Sequence, residues 1–346
     1  MKQKYLITGG AGFIGSNYVD RLLGRGEEVH IYDNLSRKGA DQNIAWLRQE
    51  YGKDSFHLIE GDVRDVDLLE KSAAGMDVIV HLAGQVAVTT SVTDPREDFE
   101  VNALGTFNML EAARKSGRNP IVLFASTNKV YGGMEDVSVI KSNDHYEYED
   151  YPDGISEKHP LDFHSPYGCS KGTGDQYTRD YHRIYGLPTV VLRQSCIYGK
   201  RQFGIEDQGC VAWFVIAALQ HRPITIYGDG KQVRDILFVS DLLNAYDRSI
   251  ERIDRVAGQV FNVGGGPTNT ISIWEQFAPI LERLMGEKIP VKWADWRPGD
   301  QLVYVSDIDK ARHDLDWEPQ YSVNDGITEL FYWVQQNLHL FNKQAA

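Results

Sequence analysis

The chain has 346 residues, 42% hydrophobic and 25% charged, with 36 Lys+Arg against 49 Asp+Glu for a net charge of −13. Such a length allows about two domains, and the composition is that of a soluble globular protein, which excludes a fibrous or disordered chain. An acidic surface repels nucleic acid and anionic lipid, leaving room for a local basic pocket that holds a small phosphate ligand. Cys169, Cys196 and Cys210 are odd in number and form no CxxC, which argues against a disulfide framework or a zinc site and fits a reducing cytosol. The longest apolar run, 210–219, is half the roughly 20 residues a membrane span needs, and the start meets glycines before a signal-peptide core forms. The expectation is a cytoplasmic protein without metal, nucleic-acid or membrane partners.

Residues 1–125 alternate short β-branched runs with amphipathic stretches. Strands are predicted at 4–8, 29–32, 56–60, 78–82 and 121–125, with a further one at 189–193. Helices are predicted near 13–25, 65–74, 97–117 and 167–185. This alternation implies βαβ units and a doubly wound parallel sheet. Residues 133–163 are acidic and aromatic, contain Pro152 and Pro160, and lack periodicity, so they read as a long surface loop of the kind that forms lids. Beyond 195 the pattern turns to mixed α+β. The predicted organisation is α/β: a Rossmann domain over 1–195 and a smaller α+β substrate domain over 196–346, with 261–264 a strand that returns to the first sheet.

Gly9, Gly12 and Gly15 follow the first strand and open a helix, a spacing that brings backbone N–H groups against a pyrophosphate at the positive helix end. Asp33 closes the second strand, where an acid binds the adenosine ribose hydroxyls. Its charge repels a 2′-phosphate and favours NAD over NADP, a preference that Arg37 could soften. Asp62 closes the third strand, within reach of an adenine. Tyr167 and Lys171 stand at i and i+4, on one helix face, just after Pro166. A lysine so placed is expected to lower the tyrosine pKa and let the phenol act as a base.

With the glycine pattern, Asp33, Asp62-Val63, His81-Leu82-Ala83-Gly84, Asn102, Val130-Tyr131-Gly132 and Tyr167/Lys171, nearly the whole chain resembles an extended short-chain dehydrogenase/reductase. Arg193 to Gly199, Gly228 to Asp235 and Arg297 to Asp300 resemble its nucleotide-sugar branch. The resemblance implies Thr127, Tyr167 and Lys171 as the catalytic set. It further implies Phe13, Ile14, Asn34, Ser36, Arg37, Val63, Leu82, Ala83, Gly84 and Asn102 as cofactor neighbours beside the residues above. Lys171 would also hold the nicotinamide ribose, and Arg234 and Arg297 the sugar-nucleotide diphosphate. The 4,6-dehydratases of the branch carry Asp-Glu directly after the Ser/Thr, whereas Asn128-Lys129 stand here, which disfavours dehydration. Long segments, among them 33–39, 83–91, 126–132, 161–171 and 199–209, resemble the CDP-paratose 2-epimerase subfamily, although Cys210 stands where that subfamily tends to have Trp. The implied activity is NAD-dependent inversion of C2 of a CDP-hexose through a transient 2-ketosugar. Gln85, Asn128, Lys129 and His164 are candidate sugar contacts, and Gln208 a candidate pyrimidine contact. A UDP-sugar 4-epimerase and a catalytically silent NAD-binding regulator are the alternatives. Helices 97–117 and 167–185 resemble the family's dimerising pair, implying a homodimer or homotetramer.

Overall fold

The computed structural model describes residues 2–206, 208–296 and 301–342. Five parallel strands alternate with helices from the start: β1 (Lys4–Thr8), α1 (Phe13–Gly24), β2 (Glu28–Asp33), α2 (Ala40–Tyr51), β3 (His57–Glu60), α3 (Val66–Ala73), β4 (Val78–His81) and β5 (Ile121–Thr127). The strands Thr189–Gln194 and Gln259–Val263 complete a seven-stranded parallel sheet. From edge to edge its order is Gln259–Val263, Thr189–Gln194, β5, β4, β1, β2, β3. All four residues of β4 and all six of Thr189–Gln194 are buried. Such unbroken burial is what helices on both faces demand, and it is why these strands read as apolar runs without alternation. The order reverses beside β1, between β1 and β4. Ligands of open α/β sheets bind in the crevice at such a switch point, at the carboxyl ends of the strands.

The second half builds a small mixed sheet from Cys196–Tyr198, Val233–Phe238, Thr270–Ser272 and Val303–Tyr304. Against it packs the apolar helix Cys210–Leu219, buried on all sides among Phe277, Leu281, Ile327 and Phe331. Trp213, Phe214, Trp274 and Phe277 supply much of this core.

Three elements differ from expectation. The helix Ala40–Tyr51 was not predicted. The stretch 97–117 is not one helix: a turn Pro95–Asp98 leads into a π-helical turn, Phe99–Leu104, before the α-helix Gly105–Lys115. Such wide turns recur at functional sites, and this one carries Asn102. Residues 133–163 are not simply a surface loop. They contain the hairpin Val139–Lys141/Tyr146–Tyr148, and Val137, Tyr146, Tyr148 and Ile155 are buried with Tyr131, Val233 and Tyr304 in a satellite core. The tyrosines are anchored by polar tips: Tyr148 donates to the Val303 carbonyl at 2.9 Å and Tyr146 to Asp229 at 2.8 Å. Aromatic bodies with satisfied hydroxyls allow burial without an alternating pattern.

Candidate active site

A cleft of about 650 Å³ opens at the carboxyl ends of the strands. Its floor is the turn after β1. Gly9 has φ +71°, and a Cβ there would lie 2.7 Å from the Ala83 nitrogen. A Cβ on Gly15 would lie 2.3 Å from the Gly9 carbonyl oxygen. The turn therefore closes only with glycine at both places, and it brings the start of α1 to the cleft. Gly12, Phe13, Ile14, Val63, Leu82, Ala83 and Gly84 also line the cleft.

Asp33 is 9% exposed, and burial raises its carboxyl pKa, countered by backbone donors. Ala11 N–H donates to it at 2.9 Å and Leu35 N–H at 2.8 Å. Those two bonds hold the carboxylate at the cleft wall with acceptor lone pairs to spare, the chemistry a ribose diol needs. The glycine cradle and this carboxylate together fit an adenine dinucleotide. Asp62 also lines the cleft. Its carboxylate is engaged by Arg64 at 2.8 Å and Asn34 at 3.0 Å, which hold its pKa far below the usual range. Asn34 in turn accepts from the Ser36 hydroxyl at 2.7 Å.

Asn102 does not line the cleft. It is 1% exposed and lies behind it. Its amide donates to the Gln85 carbonyl at 2.9 Å, to Asp98 at 3.0 Å and to the Ser170 hydroxyl at 3.2 Å, while its oxygen accepts from Gln85 N–H at 2.9 Å. Asn102 thus fastens the Gly84–Gln85 loop to the helix Ser165–Tyr185. Gln85 borders the cleft, but its side chain is committed to Ala87 and Asp98.

Tyr167 and Lys171 come from one face of the helix Ser165–Tyr185 and are 8% and 7% exposed. Thr127, at the end of β5, neighbours the Tyr167 phenol and draws its pKa down. The expected depression of the tyrosine pKa is not found. Burial pushes the phenol up to about 12, with Thr127 and Arg37 pulling the other way. Lys171 directs its Nζ to the face of the Phe124 ring, 4.4 Å from the centroid, and burial pushes the ammonium down to about 8. The i, i+4 spacing places both groups on one face, and both line the cleft, the lysine packing its ammonium on the Phe124 ring.

The remaining expected contacts are dispersed. Asn128 accepts from the Thr127 hydroxyl at 3.3 Å, and the Lys129 ammonium donates to Gln301 at 3.1 Å. His164 is exposed at the N-terminal cap of the Tyr167 helix. Arg234 lies on the small sheet and donates to the Val233 carbonyl at 2.7 Å. Arg297 lies outside the described residues. Arg37 and Gln208, expected at the two ligand ends, hydrogen-bond each other across the cleft. Their loops meet where Arg201 pins its segment to α1 and α2. Arg201 stacks 3.4 Å above the Trp46 ring and donates to Asn17 at 2.7 Å and Asp20 at 3.1 Å.

The sequence reading missed two groups of residues. Ser126 borders the cleft and donates to Asp175 at 2.8 Å. Asp98 is fully buried beside Tyr167 and Lys171, accepts from Ser170 at 2.6 Å, and has its pKa raised by burial. Ser126 adjoins Thr127 in a hydroxyl pair that was legible. Asp98 sits among exposed acids in sequence, and nothing in the pattern marks it.

Residues 6–330 match the GDP-mannose 4,6-dehydratase family. The chain belongs to that family, a group of extended short-chain dehydrogenases/reductases. Relatives within this family include a CDP-paratose 2-epimerase of Salmonella typhi, 42% identical over 338 residues that cover 96% of this chain and 99% of the relative. A UDP-glucose 4-epimerase of Mycolicibacterium smegmatis is 35% identical, covering 94% and 96% of the two chains. Among solved structures, a dTDP-glucose 4,6-dehydratase double mutant from Streptomyces venezuelae with NAD bound superposes with a TM-score of 0.81 at 30% identity, covering 97% of this chain and 98% of that one. The doubly wound α/β fold is the one expected from sequence. Among the described residues no helix is long and apolar enough to cross a membrane.

Proposed function

We propose that this family member is a cytoplasmic, NAD-dependent epimerase that inverts C2 of a CDP-hexose. The observation that carries the epimerase reading is the pair that follows Thr127 in the chain, beside Tyr167. Asn128 has no titrating group, and Lys129 donates to Gln301. Neither is a carboxylate poised to take a proton from carbon, so the site handles a hydroxyl proton and not a dehydration. The Salmonella relative supports C2 and the cytidine nucleotide.

NAD, when bound, supplies a reversible hydride acceptor. The first domain, 1–195, presents the Gly9–Gly15 turn to the pyrophosphate and Asp33 to the adenosine ribose. Thr127 orients the sugar hydroxyl and offsets charge on its oxygen. Tyr167 takes that proton and returns it, and Lys171 holds the nicotinamide ribose and stabilises the phenolate. The second domain, mainly 196–346 apart from the strand Gln259–Val263, supplies Arg234 to the diphosphate and Gln208 to the pyrimidine, with Arg297, outside the described residues, as the second proposed diphosphate contact. Asn128, Lys129 and His164 are the proposed sugar contacts, and Gln85 shapes the cleft border through its bonds to Ala87 and Asp98. Direct deprotonation at C2 is excluded by acidity, because no carbonyl adjoins that carbon.

The test uses CDP-paratose deuterated at C2, with the product read by NMR. Inversion at C2 with the deuterium kept there is the expected result. Washout into solvent rejects hydride transfer. Inversion at C4 with C2 untouched replaces this assignment with the 4-epimerase that the Mycolicibacterium relative represents.

Self-association belongs to the same proposal. Phe99, Leu104 and Phe107 lie 39–57% exposed beside Tyr177, Ile184 and Tyr185, which are 46–65% exposed. Apolar side chains clustered on two neighbouring helices form a face suited to a second copy of the chain.

A further inference from the structure

The cysteine count bears only on thiolate metal sites. The sheet register assembles a different set of ligands. Glu28 and His30 are two residues apart on β2, so both project from one face of the sheet. The parallel register places His57, the first residue of β3, opposite His30. Glu28 Oε1 lies 3.1 Å from His30 Nε2, and the two imidazole centroids are 4.5 Å apart with the rings tilted by 31°. One ligand atom from each of the three residues lies within 4.8 Å of the other two. A tetrahedral ion with bonds of about 2.1 Å has ligand–ligand edges of roughly 3.4 Å. Glu28 and His30 already meet that edge. His57 is exposed and reaches it by side-chain rotation alone.

We propose that Glu28, His30 and His57 bind one divalent transition-metal ion of the zinc class, with water completing the coordination. Two imidazoles and one carboxylate suit Zn²⁺, Co²⁺, Ni²⁺ or Cu²⁺ and disfavour Mg²⁺ and Ca²⁺, which require oxygen ligands. The ion competes with one cation: Lys4 Nζ stands 3.3 Å from Glu28 Oε1, on a side chain 45% exposed and able to swing into water. The site is separate from the cleft. Glu28 begins β2 and Asp33 ends it, about 16 Å away at about 3.3 Å per residue. What the ion does there follows from topology. Strand β3 is the sheet edge and pairs only with β2, so an ion shared between them ties down the edge strand and raises the melting temperature by mass action.

The experiment titrates ZnCl₂ into the full chain, stripped of metal with a chelator that is then removed, by calorimetry and by thermal unfolding. One ion per chain and a zinc-dependent rise in Tm are expected. His57→Gln, an exposed position that leaves folding intact, weakens binding by at least about tenfold. Lys4→Ala tightens it, because the competing ammonium is gone. Mg²⁺ at the same concentrations leaves Tm unmoved. No saturable zinc binding by the unaltered chain, or equal affinity in the unaltered chain and His57→Gln, overturns the proposal.

Discussion

Burial moves the two groups of the Tyr167 helix in opposite directions, the phenol to about 12 and the Lys171 ammonium to about 8, and both shifts favour the neutral form. The phenol therefore rests as a neutral donor, and the site gains a base only when bound groups favour the phenolate. Tyr167→Phe is expected to cut turnover by roughly 10²–10⁴ while bound NAD is retained, measured by NMR turnover and by nucleotide released on denaturation. Since Lys171 sheds its proton above about 8, kcat/KM falls on the alkaline side of that pH, and Lys171→Ala both lowers activity and erases the inflection. Asp33 is held by two backbone donors and, among the described residues, meets the cleft without a paired cation. Asp33→Ala is expected to lose NAD and to bind NADP nearly as well as NAD. Released nucleotide identified as mainly NADP in the unaltered protein would defeat the role given to Asp33.

Three elements converge below the cleft, and a buried ion pair joins them. Arg193 on the strand Thr189–Gln194 meets Asp175 on the helix Ser165–Tyr185 through two bonds of 2.8 and 3.0 Å, with side chains 2% and 0% exposed. Asp175 also receives Ser126 from β5, and Arg193 donates to Tyr131 at 3.0 Å. Tyr131 passes the network on to Asn262 at 2.7 Å. Asp175 is one helical turn beyond Lys171, so it fixes the helix that carries Tyr167 against the strand of Arg193 and, through Ser126, against β5, which carries Thr127. Desolvation makes such a pair costly to break from one side. Asp175→Asn leaves a buried guanidinium short of its counter-charge and is expected to destabilise by about 3–5 kcal/mol in denaturant unfolding. Turnover also drops, because Tyr167 and Thr127 lose their mutual register.

The whole molecule stacks its helices on a parallel sheet whose central strand β4 is fully buried, and that burial sets its response to acid. His81 in β4 is 1% exposed, bonded to Thr8 at 2.7 Å and Thr106 at 3.2 Å, and burial pushes its pKa down to about 3. The unfolded chain binds a proton near the usual histidine value of about 6.5, so the stability His81 contributes is complete above that pH. It is lost as the pH falls from about 6.5 toward 3. Asp235, raised by burial to about 6, titrates in the opposite sense, so the comparison with His81→Asn isolates the histidine. That variant is expected to be less stable at pH 7 and to lose less stability between pH 6.5 and 4. At the scale of the assembly, the unaltered chain is expected to elute as a dimer or tetramer, its mass read by light scattering. Ile184→Glu with Phe107→Glu shifts it to monomer with the cleft residues unchanged.

Local pattern alone determined the wound sheet, the glycine turn, Asp33 at the end of β2 and the Tyr167/Lys171 face, because each rests on period, spacing or the absence of a Cβ. The helix Ala40–Tyr51 escaped that pattern. Its buried Ala40, Asn43, Ile44 and Leu47 repeat at helical spacing, though mean polarity masks them. Contacts between distant segments decided the rest. The stretch 133–163 became a hairpin because Tyr146 and Tyr148 found partners more than 80 residues away. Asn102 moved behind the cleft wall through bonds to the Gln85 loop and to Ser170. The lysine beside Tyr167 turned to Phe124 because a buried ammonium is stabilised by the ring face presented by β5. Spacing states which groups share a face. Burial and the partners brought by other strands decide which way each group points and what charge it carries.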